Sequence, residues 1–214
     1  MKNHLEVSEI FYSFQGESTL VGRPTVFIRL SGCNLRCSIC DTKHALLKGK
    51  KMGVDKIISA VSEYKAKCVC ITGGEPLLQG LDELIKKLLQ MGKTVSLETN
   101  GSIDIALIDK RVKRIVDVKT PSTGEEGSFL KKNLKQLTKN DELKFVISDK
   151  KDFDYSLNFI NAHDLPCAIL FSPNLKNKKN KHDLVKWILK SKKDIIFQPQ
   201  LHKLVKENPT YILR

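Results

Sequence analysis

Short runs of β-branched and aromatic residues alternate with helical patterns from Thr25 to the C-terminus. TVFIRLSG (25–32), CVCIT (68–72) and VSLET (95–99) open the series, and RIVDVK, ELKFVI, CAILFSP and DIIFQP continue it as candidate strands. Between them, Leu81, Leu84, Ile85 and Leu88 fall at i, i+3, i+4 and i+7, the spacing of one buried helix face. Val54, Ile57, Ile58 and Val61 repeat that stripe, and both are read as core.

A repeated strand-helix order calls for a parallel sheet covered by helices. With 214 residues, the chain is short for a closed eight-unit barrel, which typically needs ~250. The pattern therefore predicts an α/β fold, an abbreviated or partial TIM-type barrel of about six or seven mostly parallel strands with helices outside. Residues 1–214 are read as one domain. Chemistry in such sheets collects at the carboxyl ends of the strands, which here read GCNLRCSIC, TGGEP, ETNG, DVKTPS, SPN and QPQLH.

Composition adds limits. A 41% hydrophobic fraction beside 29% charged residues supports a packed core and argues against a disordered chain. No stretch approaches the ~18 apolar residues of a membrane span. The opening MKNHLEVSEIFYSF lacks a secretory signature, so a cytoplasmic location and no membrane partner are expected. The net charge is +13, but the lysines lie in dispersed runs such as 131–140 and 174–183, without interleaved aromatics to stack bases. Direct nucleic-acid binding is not expected from them.

Cysteine placement is more telling than cysteine number. Cys33, Cys37 and Cys40 form a C-x3-C-x2-C run directly after a predicted strand. Three thiolates so close can wrap one metal centre while leaving one coordination position open. A zinc knuckle borrowing a histidine such as His44, or three incidental cysteines, is the alternative. Cys68, Cys70 and Cys167 lie in apolar strand patterns and read as buried thiols. Gly73 and Gly74 in TGGEP predict a turn where backbone N–H groups are free to meet a ligand carboxylate.

The C-x3-C-x2-C run followed by TGGEP resembles the signature of radical S-adenosylmethionine enzymes. The resemblance implies that Cys33, Cys37 and Cys40 are catalytic ligands of a [4Fe-4S] cluster whose fourth iron binds S-adenosylmethionine. It places the cofactor against Ile39, Cys40, Asp41, Gly73, Gly74, Glu75, Glu98, Thr99, Asp117, Lys119, Ser172 and Pro173.

The segments Ser13 to Ser18, Arg29, Cys40-Asp41-Thr42 and Gln198 to Lys203 resemble one branch of that family. This branch converts 6-carboxy-5,6,7,8-tetrahydropterin to 7-carboxy-7-deazaguanine with loss of ammonia, in 7-deazapurine and queuosine biosynthesis. That resemblance implies substrate contacts at Phe14, Gln15, Gly16, Glu17, Arg29, Thr72, Gln200 and His202. Thr42 becomes a Mg2+ ligand. A flavodoxin or ferredoxin-type electron donor and a homodimer are implied as partners. The chain continues past His202-Lys203, so no substrate role carries over to the Arg214 carboxylate. A glycyl-radical activase would share the cysteine loop but leave QGE and QPQLHK unexplained. A basic, non-catalytic metal-binding nucleic-acid protein is the alternative of another class.

Overall fold

The computed structural model describes residues 4–174 and 180–205. Part of the lysine-rich run at 174–183 and the extension ending in Arg214 therefore lie outside the described residues. The chain opens with β1 (His4–Phe14), β2 (Pro24–Leu30), β3 (Lys50–Gly53) and α1 (Val54–Ser62). It continues with β4 (Cys68–Gly73), α2 (Asp82–Gln90), β5 (Thr94–Thr99), β6 (Lys113–Asp117) and β7 (Glu142–Ile147). α3 (Lys150–Asn161), β8 (Ala168–Pro173), α4 (Asn180–Ser191), β9 (Ile196–Phe197) and α5 (Leu201–Leu204) complete it.

Among the described residues, nine strands form one sheet in the order β3-β1-β2-β4-β5-β6-β7-β8-β9. From β2 through β9 each neighbouring pair is parallel, while β1 runs antiparallel to both β2 and β3. The sheet is open, and its strands that run in parallel are those legible in the sequence. β1 and β3 were not. In β1 the pairing shifts between Val7 and Glu9, so the alternation begun by buried Leu5 and Val7 breaks before Phe11. β3 is four residues, KKMG, and too short and basic to register as apolar.

One face of the sheet is apolar. Val26, Ile28, Leu30, Val69, Ile71, Val95 and Leu97 pack with Ile57, Val61, Leu84 and Leu88 of α1 and α2. Leu143, Phe145, Ile147, Ile169 and Phe171 form a second core with Phe153 of α3 and Leu184 and Ile188 of α4. Because side chains alternate along a strand, the residues between these face inward. Near the carboxyl ends they are Arg29, Thr72, Glu98, Asp117 and Lys144, all lining one cavity.

Helices do not cover every crossover. Between β5 and β6, and between β6 and β7, the chain forms only short 3-10 turns, including Ile105–Leu107 and Lys131–Gln136. Buried side chains secure these turns in place of a helix. Asn133 donates to Gly101 O and Ile103 O at 3.0 and 2.8 Å and accepts from Ile105 N at 3.1 Å. Arg114 binds Ile105 O at 3.0 Å, Gln136 O at 2.8 Å and both oxygens of Asp141. A fully satisfied guanidinium can remain in such a site, whereas either partner left alone would be a buried unpaired charge. Arg114→Leu, which strands Asp141, is expected to cost about 3–5 kcal/mol in urea unfolding. A loss below about 1 kcal/mol would show that Arg114 does not secure the two turns.

Candidate active site

The cysteine loop begins where β2 ends and is held down by the turn after β4. Gly74 N donates to Leu30 O at 3.1 Å and Glu75 N to Gly32 O at 2.8 Å. Those two N–H groups are thus committed to the protein, which corrects the expectation that they are free for a ligand. The glycines are required by this close approach. A Cβ at Gly73, whose φ is 146°, would lie 2.1 Å from Leu30 O, and one at Gly74 would lie 2.0 Å from Gly32 O and 2.9 Å from Cys33 Cβ. Glu75 is fully buried and accepts from Leu77 N, Thr99 Oγ1 and Asn100 N at 2.9, 2.8 and 2.7 Å. Burial nevertheless raises its pKa. Glu75 therefore joins the TGGEP and ETN turns rather than facing the cavity.

Cys33, Cys37 and Cys40 carry free, half-buried thiols on one wall of that cavity. Asn100 Nδ2 approaches Cys33 Sγ at 3.8 Å, and burial pushes the Cys37 thiol up against the pull of the Lys119 charge. Among the described residues, no three His, Cys, Asp or Glu side chains converge as they would on a single ion. An iron–sulfur cluster does not require that convergence, because its thiolates bind different irons. Three free thiols on one wall fit such a cluster. His44 is engaged elsewhere, with its Nε2 3.1 Å from Glu9 Oε1. Cys68, Cys70 and Cys167 are buried, and burial pushes Cys167 up to about 11 and Cys70 well above its ordinary value.

The cavity has a volume of about 620 Å3, within the ~300–1,000 Å3 range of small-molecule sites. Ile39, Asp41, Thr42, Gly73, Gly74 and Thr99 line it beside the cysteines. Asp117 and Lys119 follow, joined at 3.0 Å, and the same wall carries Glu98. Glu98 accepts from Thr72 Oγ1 at 2.9 Å and Gln15 Nε2 at 3.3 Å. Burial, and next the Glu17 charge, raise its pKa. Arg29 stands over the Phe11 ring at 5.5 Å and gives Nε to Glu9 at 2.8 Å. That ion pair leaves its two Nη groups for a bidentate acceptor. Thr42 Oγ1 donates to Asp41 Oδ1 at 3.0 Å, a pair of hard oxygens suited to Mg2+, which commonly takes one or two protein ligands and completes its shell with water and substrate.

The chain's two ends close the remaining side. Phe14 at the end of β1 and Gln15, Gly16 and Glu17 just after it line the cavity, as do Gln200 and His202 around α5. Gln198 grips the backbone of Ser18, accepting from its N at 2.5 Å and donating to its O at 2.8 Å. Ser18 adopts a φ of 65°, in the left-handed region, and the Gln198 contacts stabilise that unfavourable geometry. Glu142 accepts from Thr19 N at 3.1 Å. Gln200 Nε2 donates to Glu17 Oε1 at 2.6 Å, and Lys203 pairs with Asp41 at 2.6 Å, which holds the Asp41 carboxyl well below the usual range. Gly16 admits His202, whose Nδ1 would lie 2.2 Å from an added Cβ.

Three expected positions do not line the cavity: Glu75, Ser172 and Pro173. Ser172 and Pro173 are buried in β8, Ser172 Oγ has no hydrogen-bond partner among the described residues, and the adjacent Asn174 lines the cavity instead. The residue that sequence reading missed is Lys144, whose Nζ lies 2.7 Å from Glu17 Oε2 and 3.5 Å from Asp117 Oδ2. Burial alone would lower its pKa, yet Glu17, Asp117 and Glu98 raise it well above the ordinary lysine value. The available signal was its inward position in ELKFVI, between outward Leu143 and Phe145.

Comparisons with known proteins show the family and the fold. The sequence profile of the Radical SAM superfamily matches residues 27–126. The 7-carboxy-7-deazaguanine synthase of Koribacter versatilis is 38% identical over 218 residues, covering 94% of this chain and 96% of that protein. The synthase of the same name from Thermoplasma acidophilum is 36% identical over 203 residues, covering 93% and 96%. In fold, the crystal structure of QueE from Escherichia coli matches with a TM-score of 0.75 at 22% identity, over 91% of this chain and 94% of that one.

The close backbone contact at Gly74 generates a prediction independent of turnover. Gly74→Ala is expected to displace the start of the cysteine loop and reduce iron and sulfide bound per chain, after anaerobic reconstitution, to less than about half the wild-type value. Wild-type loading would show that the contact is dispensable.

Proposed function

The chain belongs to the 7-carboxy-7-deazaguanine synthase family of radical S-adenosylmethionine enzymes, and from that premise we propose how its cavity is divided between cofactor and substrate. It is a lyase that converts 6-carboxy-5,6,7,8-tetrahydropterin to 7-carboxy-7-deazaguanine with loss of ammonia, a step of queuosine biosynthesis. The cofactor side comprises the cysteine loop, the TGG turn and the ends of β5 and β6; the substrate side comprises Arg29, the QGE segment and Gln200-Leu201-His202. What supports this division is one observation: three segments far apart in sequence, 14–17, 33–42 and 200–203, meet around a single cavity.

When bound, the [4Fe-4S] cluster and S-adenosylmethionine supply the 5′-deoxyadenosyl radical that starts the rearrangement. Cys33, Cys37 and Cys40 would hold the cluster through their thiolates. Glu98, Thr99, Asp117 and Lys119 provide carboxylate, hydroxyl and ammonium contacts for the rest of it. The two Nη groups of Arg29 receive the substrate carboxylate through charge-assisted hydrogen bonds. Glu17 and Gln15 meet the N–H and carbonyl edge of the pterin, and Phe14 and Gly16 border it. Thr42, beside Asp41, takes Mg2+ and orients the substrate carboxylate. Phe11, Phe27 and Leu35 supply apolar parts of the cavity lining.

Residues 1–214 act as one domain in this reading. The enzyme requires a reductant, supplied by an acidic flavodoxin or ferredoxin drawn to the +13 charge of the chain. It works in the cytoplasm as a homodimer. Among the described residues no helix is long and apolar enough to cross a membrane.

The reconstituted protein, given S-adenosylmethionine, a reductant, Mg2+ and the tetrahydropterin under anaerobic conditions, is expected to yield 7-carboxy-7-deazaguanine by mass spectrometry. Cleavage of the cofactor without that product would point to a different substrate. Arg29→Ala is expected to raise KM for the pterin by about 10–100-fold with a smaller change in kcat. An unchanged KM would remove Arg29 from the substrate side.

A further inference from the structure

We infer that Lys144, in the middle of β7, is a positioning residue that fixes Glu17 on the substrate side and Asp117 on the cofactor side. The inference rests on the division of the cavity proposed for this family member, and it adds a residue outside the three converging segments.

Lys144 is inward-facing, only 10% of its side chain is exposed, and its Nζ contacts Glu17 Oε2 at 2.7 Å and Asp117 Oδ2 at 3.5 Å. Burying an ammonium is costly unless it is paired, and here two carboxylates pair it. The two carboxylates it bridges share a property. Glu17 has one protein partner on each oxygen, Lys144 on Oε2 and Gln200 on Oε1, while an ionised carboxylate offers about four acceptor sites. Asp117 Oδ1 is buried and has no partner among the described residues. Lys144 thus stands between two carboxylates, holding Glu17 directly and bracing Asp117 together with Lys119, and each carboxylate retains acceptor capacity beside the cavity.

The surrounding charges explain why an apolar residue would not substitute. Glu17 faces the Glu98 charge from β5 and shares Lys144 with Asp117 of β6, while Asp41 at the end of the cysteine loop is tied to Lys203. Among the described residues, the cationic groups on the surrounding elements besides Lys144 are Lys119 beyond β6, Arg29 of β2, which is paired with Glu9, and Lys203 of α5, while burial lowers the pKa of the His202 imidazole. Burial works to raise the Glu17 pKa, and the opposing interactions, led by the Lys144 charge and hydrogen bond and followed by the Gln200 hydrogen bond, bring the net direction down. Without Lys144, burial and the neighbouring carboxylates would carry Glu17 upward toward neutrality. A protonated Glu17 loses acceptor capacity for the N–H edge of the pterin. Binding in that case declines as pH falls through the raised pKa and recovers above it.

The test is anaerobic calorimetric binding of 6-carboxytetrahydropterin to the reconstituted protein, from about pH 6 to about pH 9. Wild-type affinity is expected to show no carboxylate titration in that window. Lys144→Met is expected to bind at least about tenfold more weakly at the acid end and to recover as pH rises, since each unit of raised pKa costs about tenfold in the ionised fraction. Lys144→Arg keeps the charge and is expected to retain the wild-type profile within about threefold. In a Glu17→Gln background, adding Lys144→Met is expected to weaken binding no further. That uncharged pair also carries the test if Lys144→Met alone fails to fold by circular dichroism. Wild-type affinity for Lys144→Met at every pH, or an equal loss with and without Glu17, would overturn the inference while leaving the reaction in place. A wild-type protein that neither binds nor converts the pterin would overturn the functional reading and the inference with it.

Discussion

Buried charge on the inner face of the sheet must be neutralised locally, and the architecture of the site follows from how that is done. Arg29, Glu98, Asp117 and Lys144 project from four strands into one cavity whose interior cannot solvate them as water would. Glu9 answers Arg29, while Lys119 and Lys144 answer Asp117; Thr72 and Gln15 hydrogen-bond Glu98. Each pairing orients a side chain that would otherwise move among rotamers, which is the preorganisation a binding site needs.

The same demand draws the two ends of the chain together. Glu17 follows the first strand and Gln200 follows the last, yet the two meet because β1 pairs beside β2 and the loop after it reaches across the cavity. Gln198 secures that loop through both backbone groups of Ser18, so a strained peptide is stabilised by a residue about 180 positions away. Lys203 then fastens the segment to Asp41 beside the cysteines. The cavity is therefore enclosed by links between loops, while the packed helices lie on the opposite face.

Much of this was legible in one dimension because it depends on local rules. The strands that run in parallel, the stripes of α1 and α2, and the cysteine spacing are periodic or contiguous. TGG and QPQLH stood out because polar and glycine-rich residues cluster at strand ends, whereas QGE stood out only through the family resemblance. β1 escaped through its bulge, and the helix-less crossovers escaped because Arg114 and Asn133 replace helix packing with hydrogen bonds to distant carbonyls. Gly74 was legible as a glycine but not in its role, since the backbone it approaches belongs to another strand's loop.

By itself, the sequence determined the α/β order, the core stripes and the thiol spacing, each set by backbone periodicity within a few residues of itself. Only the tertiary structure decided that Glu75 serves as an internal tie, that Ser172 lies behind the wall, and that Lys144 stands between two carboxylates. The physical reason is that a charged side chain's role depends on which partner neutralises it, and in this sheet that partner lies on another strand or loop.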